Sequence, residues 1–140
     1  MQSIRYEVVN TLDLDSFLSI LSRSGLAARR PVHDQMTIEK MVTNASFFIV
    51  AFDGKQLVGV SRCLSDFAFA CYCSELAVDT NYQGLGIGRE LLKLSRQHAG
   101  ESCAFVLVSA PNAEGFYQSI GLTNFPSCFG WPPNAKNGLC

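Results

Sequence analysis

The stretch Glu75-Leu76-Ala77-Val78-Asp79-Thr80-Asn81-Tyr82-Gln83-Gly84-Leu85-Gly86-Ile87-Gly88-Arg89-Glu90-Leu91-Leu92-Lys93-Leu94 runs from a strand-like apolar segment, through glycines, into a helical pattern. Glycines at the alternate positions 84, 86 and 88 expose backbone N–H groups without Cβ interference. A helix that begins there leaves its first amides unpaired and turns its positive dipole end outward. Together these features predict a site for a phosphate or pyrophosphate at Gln83–Arg89. The glycines alone are equally consistent with a tight strand-to-helix packing turn. They lack the Gly-x-Gly-x-x-Gly spacing of a dinucleotide fingerprint and the Gly-Lys-Ser/Thr ending of a nucleotide-triphosphate loop.

Working outward, the chain reads as alternating short elements. Ile4 to Val9 suits a first strand. Thr11 or Asp13 can cap a helix with Leu14, Phe17, Leu18 and Leu21 on one face, and Gly25 is a natural stop. The polar, basic segment Ala27 to Asp34 contains Pro31 and reads as a loop. Thr37 then starts a shorter helix through Met41 and Val42. Phe47 to Phe52 is β-prone, Asp53-Gly54 is a hairpin turn signal, and Gln56 to Leu64 resumes as a strand. A further strand covers Phe69 to Val78. After the glycine loop a helix continues to about His98, with Ile87, Leu91, Leu94 and His98 on one face and Gly100 closing it. Ala104 to Val108 fits a buried strand. Pro111 can open a helix from Asn112 to Ile120, ended by Gly121. Leu122 to Phe129 is an expected closing strand despite Pro126, and Trp131 to Cys140 reads as irregular. Three consecutive central strands argue for an α+β fold rather than a purely alternating design.

The bulk properties narrow the class. With 140 residues, 48% hydrophobic and 16% charged, the chain is expected to form a single domain over 1–140. A formal net charge of −1 gives no electrostatic case for nucleic acid or an anionic membrane surface. No apolar run approaches the ~18–20 residues of a membrane helix. The first residues lack the apolar core of a signal peptide. Six cysteines occur without a Cys-x-x-Cys pair, His33 lies far from any of them, and His98 stands alone five residues before Cys103. No metal site is therefore expected, and the thiols read as small buried groups in a reduced, cytoplasmic protein.

Two motifs then carry a resemblance. Leu76-Ala77-Val78 followed by Gln83-Gly84-Leu85-Gly86-Ile87-Gly88 resembles the GNAT superfamily of acyl-CoA-dependent N-acetyltransferases, whose Arg/Gln-x-x-Gly-x-Gly/Ala signature is met by Gln83, Gly86 and Gly88. Ala113-x-x-Phe116-Tyr117-x-x-Ile120-Gly121-Leu122 resembles the same family's Ala-x-x-Phe-Tyr-x-x-x-Gly-Phe motif. The element order agrees, so the likeness spans nearly the whole chain. It implies a mixed, mostly antiparallel sheet of six or seven strands flanked by about four helices, with a splayed strand pair forming a slot for coenzyme A. The implied co-substrate is acetyl-CoA. Its pyrophosphate would lie on Gln83, Gly84, Leu85, Gly86, Ile87, Gly88 and Arg89, and its pantetheine arm along the backbone of Leu76, Ala77 and Val78, with Phe116 and Tyr117 nearby.

The implied reaction is direct attack of a primary amine on the thioester. By resemblance, Tyr117 protonates or hydrogen-bonds the departing sulfur, a fitting task for a phenol of pKa ~10, and the backbone N–H near Val78 stabilises the oxyanion. Glu75, the only acid between Asp66 and Asp79, is a candidate general base, with Tyr72, Asp66 and a solvent chain as competing routes. Strand alternation sets Glu75 on the face opposite Leu76 and Val78 unless a bulge intervenes. The family's asparagine stands seven residues before the tyrosine, where this chain has Ala110. Asn112 is thus a displaced candidate for a coenzyme A contact and equally an early helix-turn residue. Arg29 and Arg30 read as solvated rather than acceptor-binding. Phe67, Phe69, Phe129 and Trp131 are candidate walls of an acceptor pocket, or core or dimer contacts. The acceptor is a small-molecule or protein amine, and a homodimer is compatible with the family. A non-catalytic acyl-CoA-binding or interaction module with the same fold is the rival reading.

Overall fold

The computed structural model describes residues 3–135; Met1, Gln2 and 136–140 lie outside the described residues, and with them the end of the expected irregular tail and the Cys140 thiol. Contacts divide the chain into a larger unit, Met1–Val108, and a smaller one, Ser109–Cys140. The larger unit runs β1 Ile4–Val9, α1 Leu14–Ser24, a 3-10 turn Leu26–Arg29, α2 Gln35–Thr43, β2 Phe47–Asp53, β3 Gln56–Ser65, β4 Ala70–Val78, a second 3-10 turn Thr80–Tyr82, α3 Ile87–Ala99 and β5 Ala104–Leu107. The smaller unit contains α4 Glu114–Ser119.

Local chemistry sets most of these limits. The Asp13 carboxylate accepts from the Ser16 N–H at 2.9 Å and caps α1, and Gly25, at φ 85°, ends it in the left-handed region. Asp34 caps α2 by accepting from the Thr37 N–H at 3.2 Å. The helix therefore starts at Gln35, earlier than the expected Thr37, because an Asx cap recruits the residues after it.

Strands β1 to β4 form an antiparallel meander, and β5 adds to β4 in parallel, giving the order β1-β2-β3-β4-β5. The described residues thus hold five strands, against the six or seven expected. The missing one is Leu122 to Phe129, which is irregular apart from a turn. Pro126 cannot donate to a ladder there, and the prolines at 132 and 133 repeat the obstacle.

Side chains of β3 alternate between two helical layers. Gly59 faces α3 so closely that an added Cβ would lie 3.1 Å from both Ile87 and Leu91. Ser61 also faces α3, its Oγ 2.6 Å from that of Ser95. Val60 instead joins Phe17, Ile20, Leu21, Ile38, Phe48, Val50 and Ala77 in the core beneath α1 and α2. The buried stripe of α3 is Ile87, Leu91, Leu92, Ser95 and Ala99. This corrects the expected face: Leu94 is half-buried, and His98 is exposed at the rim, edge-on to the Phe47 ring at 4.6 Å.

Strand β4 carries the irregularity that matters most. Arg62 pairs with Glu75 but Cys63 pairs with Cys73, so Ser74 is an extra residue, a β-bulge. Cys73 follows Cys63 onto the α3 side, whereas Glu75 and Ala77 follow Arg62 and Val60 onto the α1/α2 side. The bulge changes which face each half of β4 presents.

Candidate active site

Two features of the larger unit lie end to end in the sequence: an open strand edge and an uncapped helix start. Pairing between β4 and β5 runs from Ala70↔Ala104 to Cys73↔Leu107 and stops. Among the described residues no strand pairs with β4 on that side from Ser74 to Val78. On its other side, the Asp79 N–H donates to the Val58 carbonyl at 2.8 Å. Antiparallel pairs alternate between bonded and non-bonded, so Asp79 and Ala77 turn their backbone groups to β3 while Leu76 and Val78 turn theirs away from it. The Gln83 side-chain amide donates to the Val78 carbonyl at 3.2 Å, as that orientation requires. Of the three residues expected to present backbone groups, two therefore face the open edge, and Ala77 faces β3.

The helix start follows. Gly84 and Gly86 hold φ at 82° and 85°, a region that disfavours side chains, and an added Cβ on either would meet nothing within 4 Å. The glycines serve the turn's conformation and leave its surface bare. Gly86 caps α3 without a side-chain bond, and the first helical hydrogen bond is Glu90 N–H to Gly86 carbonyl at 3.1 Å. The N–H groups of Ile87, Gly88 and Arg89 thus have no intrahelical acceptor, and Gly84, Leu85 and Gly86 are exposed. Bare, positively polarised amides with the exposed Arg89 beside them suit an anionic diphosphate.

Fixed polar contacts hold the intervening turn. Asp79, buried, accepts from the Asn81 N–H at 2.9 Å and from Arg23 Nη1 at 2.6 Å. The Asn81 N–H first, and then the Arg23 guanidinium, hold its carboxyl below the usual range. Arg23 also donates to the Leu57 carbonyl at 2.7 Å. The Tyr82 hydroxyl donates to Asp53 at 2.6 Å, and that bond raises its pKa.

Glu75 occupies a different setting from the one expected of a base. It is 1% exposed on the α1/α2 side. Its Oε2 accepts from Arg30 Nε at 2.6 Å and from Ser74 Oγ at 3.1 Å, and its Oε1 accepts from Arg62 Nε. Arg62 further donates to the Met41 carbonyl at 3.0 Å and to Ser74 Oγ at 3.0 Å. Arg30 donates to the Ser74 carbonyl at 2.8 Å and to its neighbour's, that of Arg29, at 2.9 Å. Arg30, expected to be solvated, is bound into this network. The sequence did hold a signal: Arg62 and Glu75 are opposite charges inside otherwise apolar strands, and charges are rarely buried unless paired.

The competing acids and phenol are spread apart. Asp66 accepts from the N–H groups of Ala68, Phe69 and Ala70 at 2.8–3.0 Å, which hold its carboxyl below the usual range. Asp66, Tyr72, Leu64 and Val106 border a shallow concavity of about 450 Å³ that reaches to within one pair of the point where β5 stops. Phe67 packs against Phe47 and His98, with ring centroids 5.8 Å away in each case, and Phe69 is exposed. Cys73 lies on the α3 side beside Cys63 and Cys71. Hydrogen bonding to Cys63, then burial, pushes its thiol up, and burial followed by the neighbouring Cys63 pushes Cys71 up to about 12. Neither is an activated nucleophile. Among the described residues no cluster of His, Cys, Asp and Glu could hold a metal, and no helix is long and apolar enough to cross a membrane.

In the smaller unit, Tyr117 sits on α4, half-buried, its ring 5.2 Å from that of Phe116 at an interplanar angle of 67°. Its N–H donates to the Ala113 carbonyl at 3.3 Å, and its carbonyl accepts from Leu122 at 3.1 Å. Asn112 precedes the helix in an exposed turn, and Phe129 and Trp131 are exposed.

Comparison with known proteins adds a family. A model described as an acetyltransferase (GNAT) domain matches residues 18–128. An uncharacterized ycf52-like N-acetyltransferase of Prochlorococcus marinus is 29% identical over 138 residues, covering 92% of this chain and 74% of its own length. A GNAT family acetyltransferase from Streptococcus pneumoniae aligns with TM-score 0.75 at 21% identity, over 93% of this chain and 96% of its own. An aminoglycoside N-acetyltransferase solved in complex with CoA aligns with TM-score 0.71 at 11% identity, over 96% and 97%. At such identities the structural likeness bears on the fold.

Proposed function

Because the chain belongs to the GNAT acetyltransferase family, we propose that it transfers an acetyl group from acetyl-CoA to a primary amine of a small molecule or a protein. The observation that carries this reading is the continuity of the open β4 edge at Leu76 and Val78 with the bare amides at the start of α3. An amide-bearing arm ending in a diphosphate matches that order of donors: backbone pairing first, anion binding next.

In this reading Gln83 to Arg89 hold the diphosphate, and Leu76 and Val78 pair with the pantetheine amides. Acetyl-CoA supplies the activated thioester carbonyl. The arm runs from the diphosphate back along β4, so the Val78 N–H meets a pantetheine amide, and the Leu76 N–H, farther along the open edge, is the donor to the carbonyl oxygen as negative charge develops there, in place of the expected Val78. The amine forms the C–N bond, the C–S bond breaks, and the sulfur takes a proton from the Tyr117 hydroxyl. The acceptor approaches over the concavity at Tyr72 and Val106, whose apolar walls favour an amine with an uncharged body. Glu75 is assigned to an ion-pair network rather than to proton transfer, since all of its oxygens already accept from fixed donors. The amine proton leaves to solvent in this scheme, and the Tyr117 phenolate regains its proton from solvent.

Calorimetry with acetyl-CoA and with desulfo-CoA, followed by thiol release across a panel of amines, tests the proposal. Binding of both ligands with thiol release on at least one amine is expected. No heat with either ligand rejects the reading outright. Binding without thiol release on any amine favours a non-catalytic module.

A further inference from the structure

We propose that Arg30 is a positioning residue for the donor slot, acting through the bulge at Ser74; the inference rests on the acyl-CoA reading of that slot. A β-bulge leaves its extra residue outside the ladder, so the residue's polar groups need partners elsewhere. Here Arg30 supplies one, donating to the Ser74 carbonyl at 2.8 Å through Nη2. The same guanidinium donates through Nε to Glu75 at 2.6 Å. One planar fork therefore grips two successive residues of β4 at the place where β5 leaves it. Arg62 completes the grip from β3, holding Ser74 Oγ at 3.0 Å and the other Glu75 oxygen.

What the grip fixes is orientation. Slipping a strand by one residue exchanges its faces and its outward-turned backbone groups. With Ser74 accommodated as the extra residue, Leu76 and Val78 turn their N–H groups to the open edge. Without it, Ala77 would take that place, and Glu75 would leave its arginines. Arg30 never needs to touch the ligand to set this. It comes from outside the sheet, at the end of the 3-10 turn Leu26–Arg29, where the Arg30 N–H donates to Ala27 at 3.2 Å and its carbonyl accepts from Val32 at 2.8 Å. That compact loop is the arm through which the α1–α2 connection bears on the donor side.

The test compares the full chain with its Arg30→Lys and Arg30→Met variants. Lysine retains the charge but, as a single point donor, cannot span Ser74 and Glu75 in one fork. Desulfo-CoA affinity is read by calorimetry, and amide exchange is followed at Ala77 and Asp79, whose N–H groups the register turns to β3. Arg30→Met should weaken binding by about three- to thirty-fold, with Arg30→Lys intermediate, and both should speed exchange at the two amides. Ile20→Val, in the core beneath α1, serves as a control that lowers the thermal midpoint without altering either readout. If Arg30→Met does not fold, Arg30→Lys decides. Wild-type affinity and wild-type exchange in a folded Arg30→Lys chain overturn the inference. So does a loss of affinity that Ile20→Val reproduces at an equal fall in midpoint. Absence of desulfo-CoA binding to the wild type rejects the acyl-CoA reading itself, a separate result.

Discussion

Replacing Glu75 by Gln separates an ion-pair role from a catalytic one. The carboxylate is 1% exposed and accepts from two guanidiniums and a hydroxyl. An amide keeps one acceptor oxygen and puts an NH2 donor where the other stood. One arginine Nε–H then meets a donor, and two cations surround a neutral group. Removing one partner from a buried ion pair costs about 3–5 kcal/mol. The Arg30 side chain is 22% exposed and can recover some hydration, so the lower end, ~3 kcal/mol, is expected. For a chain of this size that lowers the thermal midpoint by roughly 10 °C. Urea denaturation measures the free-energy loss, and a pH–rate profile on the folded variant measures any change in proton transfer. A large stability loss with an unmoved profile is expected. A loss below about 1 kcal/mol together with a displaced rate plateau would refute the ion-pair assignment and restore Glu75 as the base. Adding Arg62→Met to Glu75→Gln should cost less than the sum of the two single changes, since the second removes a cation that the first left unpaired.

Tyr117→Phe should lower turnover on the order of 10²-fold while leaving desulfo-CoA affinity nearly intact, and unchanged turnover would make the ring a packing residue only. Gly86→Ala, at φ 85°, should cost about 1–2 kcal/mol in stability by chemical denaturation and also weaken desulfo-CoA binding; a neutral substitution would contradict the left-handed cap. Asp79, its carboxyl held below the ordinary range by Asn81 and Arg23, contributes stability that is fully present above its unfolded pKa of about 3.9 and lost as pH falls through its lower folded value. Asp79→Asn should therefore flatten the acid limb of the stability–pH curve below about pH 4, and an unaltered limb counts against the pair. Iodoacetamide at pH 8 should label exposed Cys128 quickly, whereas Cys71, pushed up to about 12, presents about one thiolate in ten thousand and should react only on unfolding; equal labelling by peptide mapping would contradict the buried thiol cluster.

Much of the fold was legible because it is encoded locally. Asp13 as a cap, Gly25 and Gly100 as stops, and Asp53-Gly54 as a turn need only neighbours a few residues away, and each sits where the pattern placed it. The glycine loop before α3 was legible for the same reason. Three other features were not legible in this way. Arg30 and Glu75 meet across 45 positions, so the arginine's polar surroundings in sequence pointed to solvent. The bulge at Ser74 left no trace in the pattern, because the two halves of β4 bury opposite faces and residues 71, 73, 75 and 77 are all buried across the switch. The closing strand was read from apolar residues around Pro126, and the missing donor outweighed them. Within the candidate site the left-handed glycine turn and the uncapped start of α3 could be read from residue type and spacing. The partners of Glu75 could not, since they depend on which distant side chains the fold brings to it.

The order of the sheet also bears on how the molecule is made. Strands β1 to β4 follow one another across antiparallel connections, so they can pair as they are synthesised. Strand β5 joins in parallel only after α3 has crossed over, and it holds β4 by four residue pairs. The slot is the gap that this short, late attachment leaves behind. A nascent chain that has not yet emerged as far as Ala104 would have the meander but no second wall to the slot. On the proposed reading, competence to bind acyl-CoA arrives at a defined length of chain, and ligand present during synthesis can stabilise only molecules that have passed it.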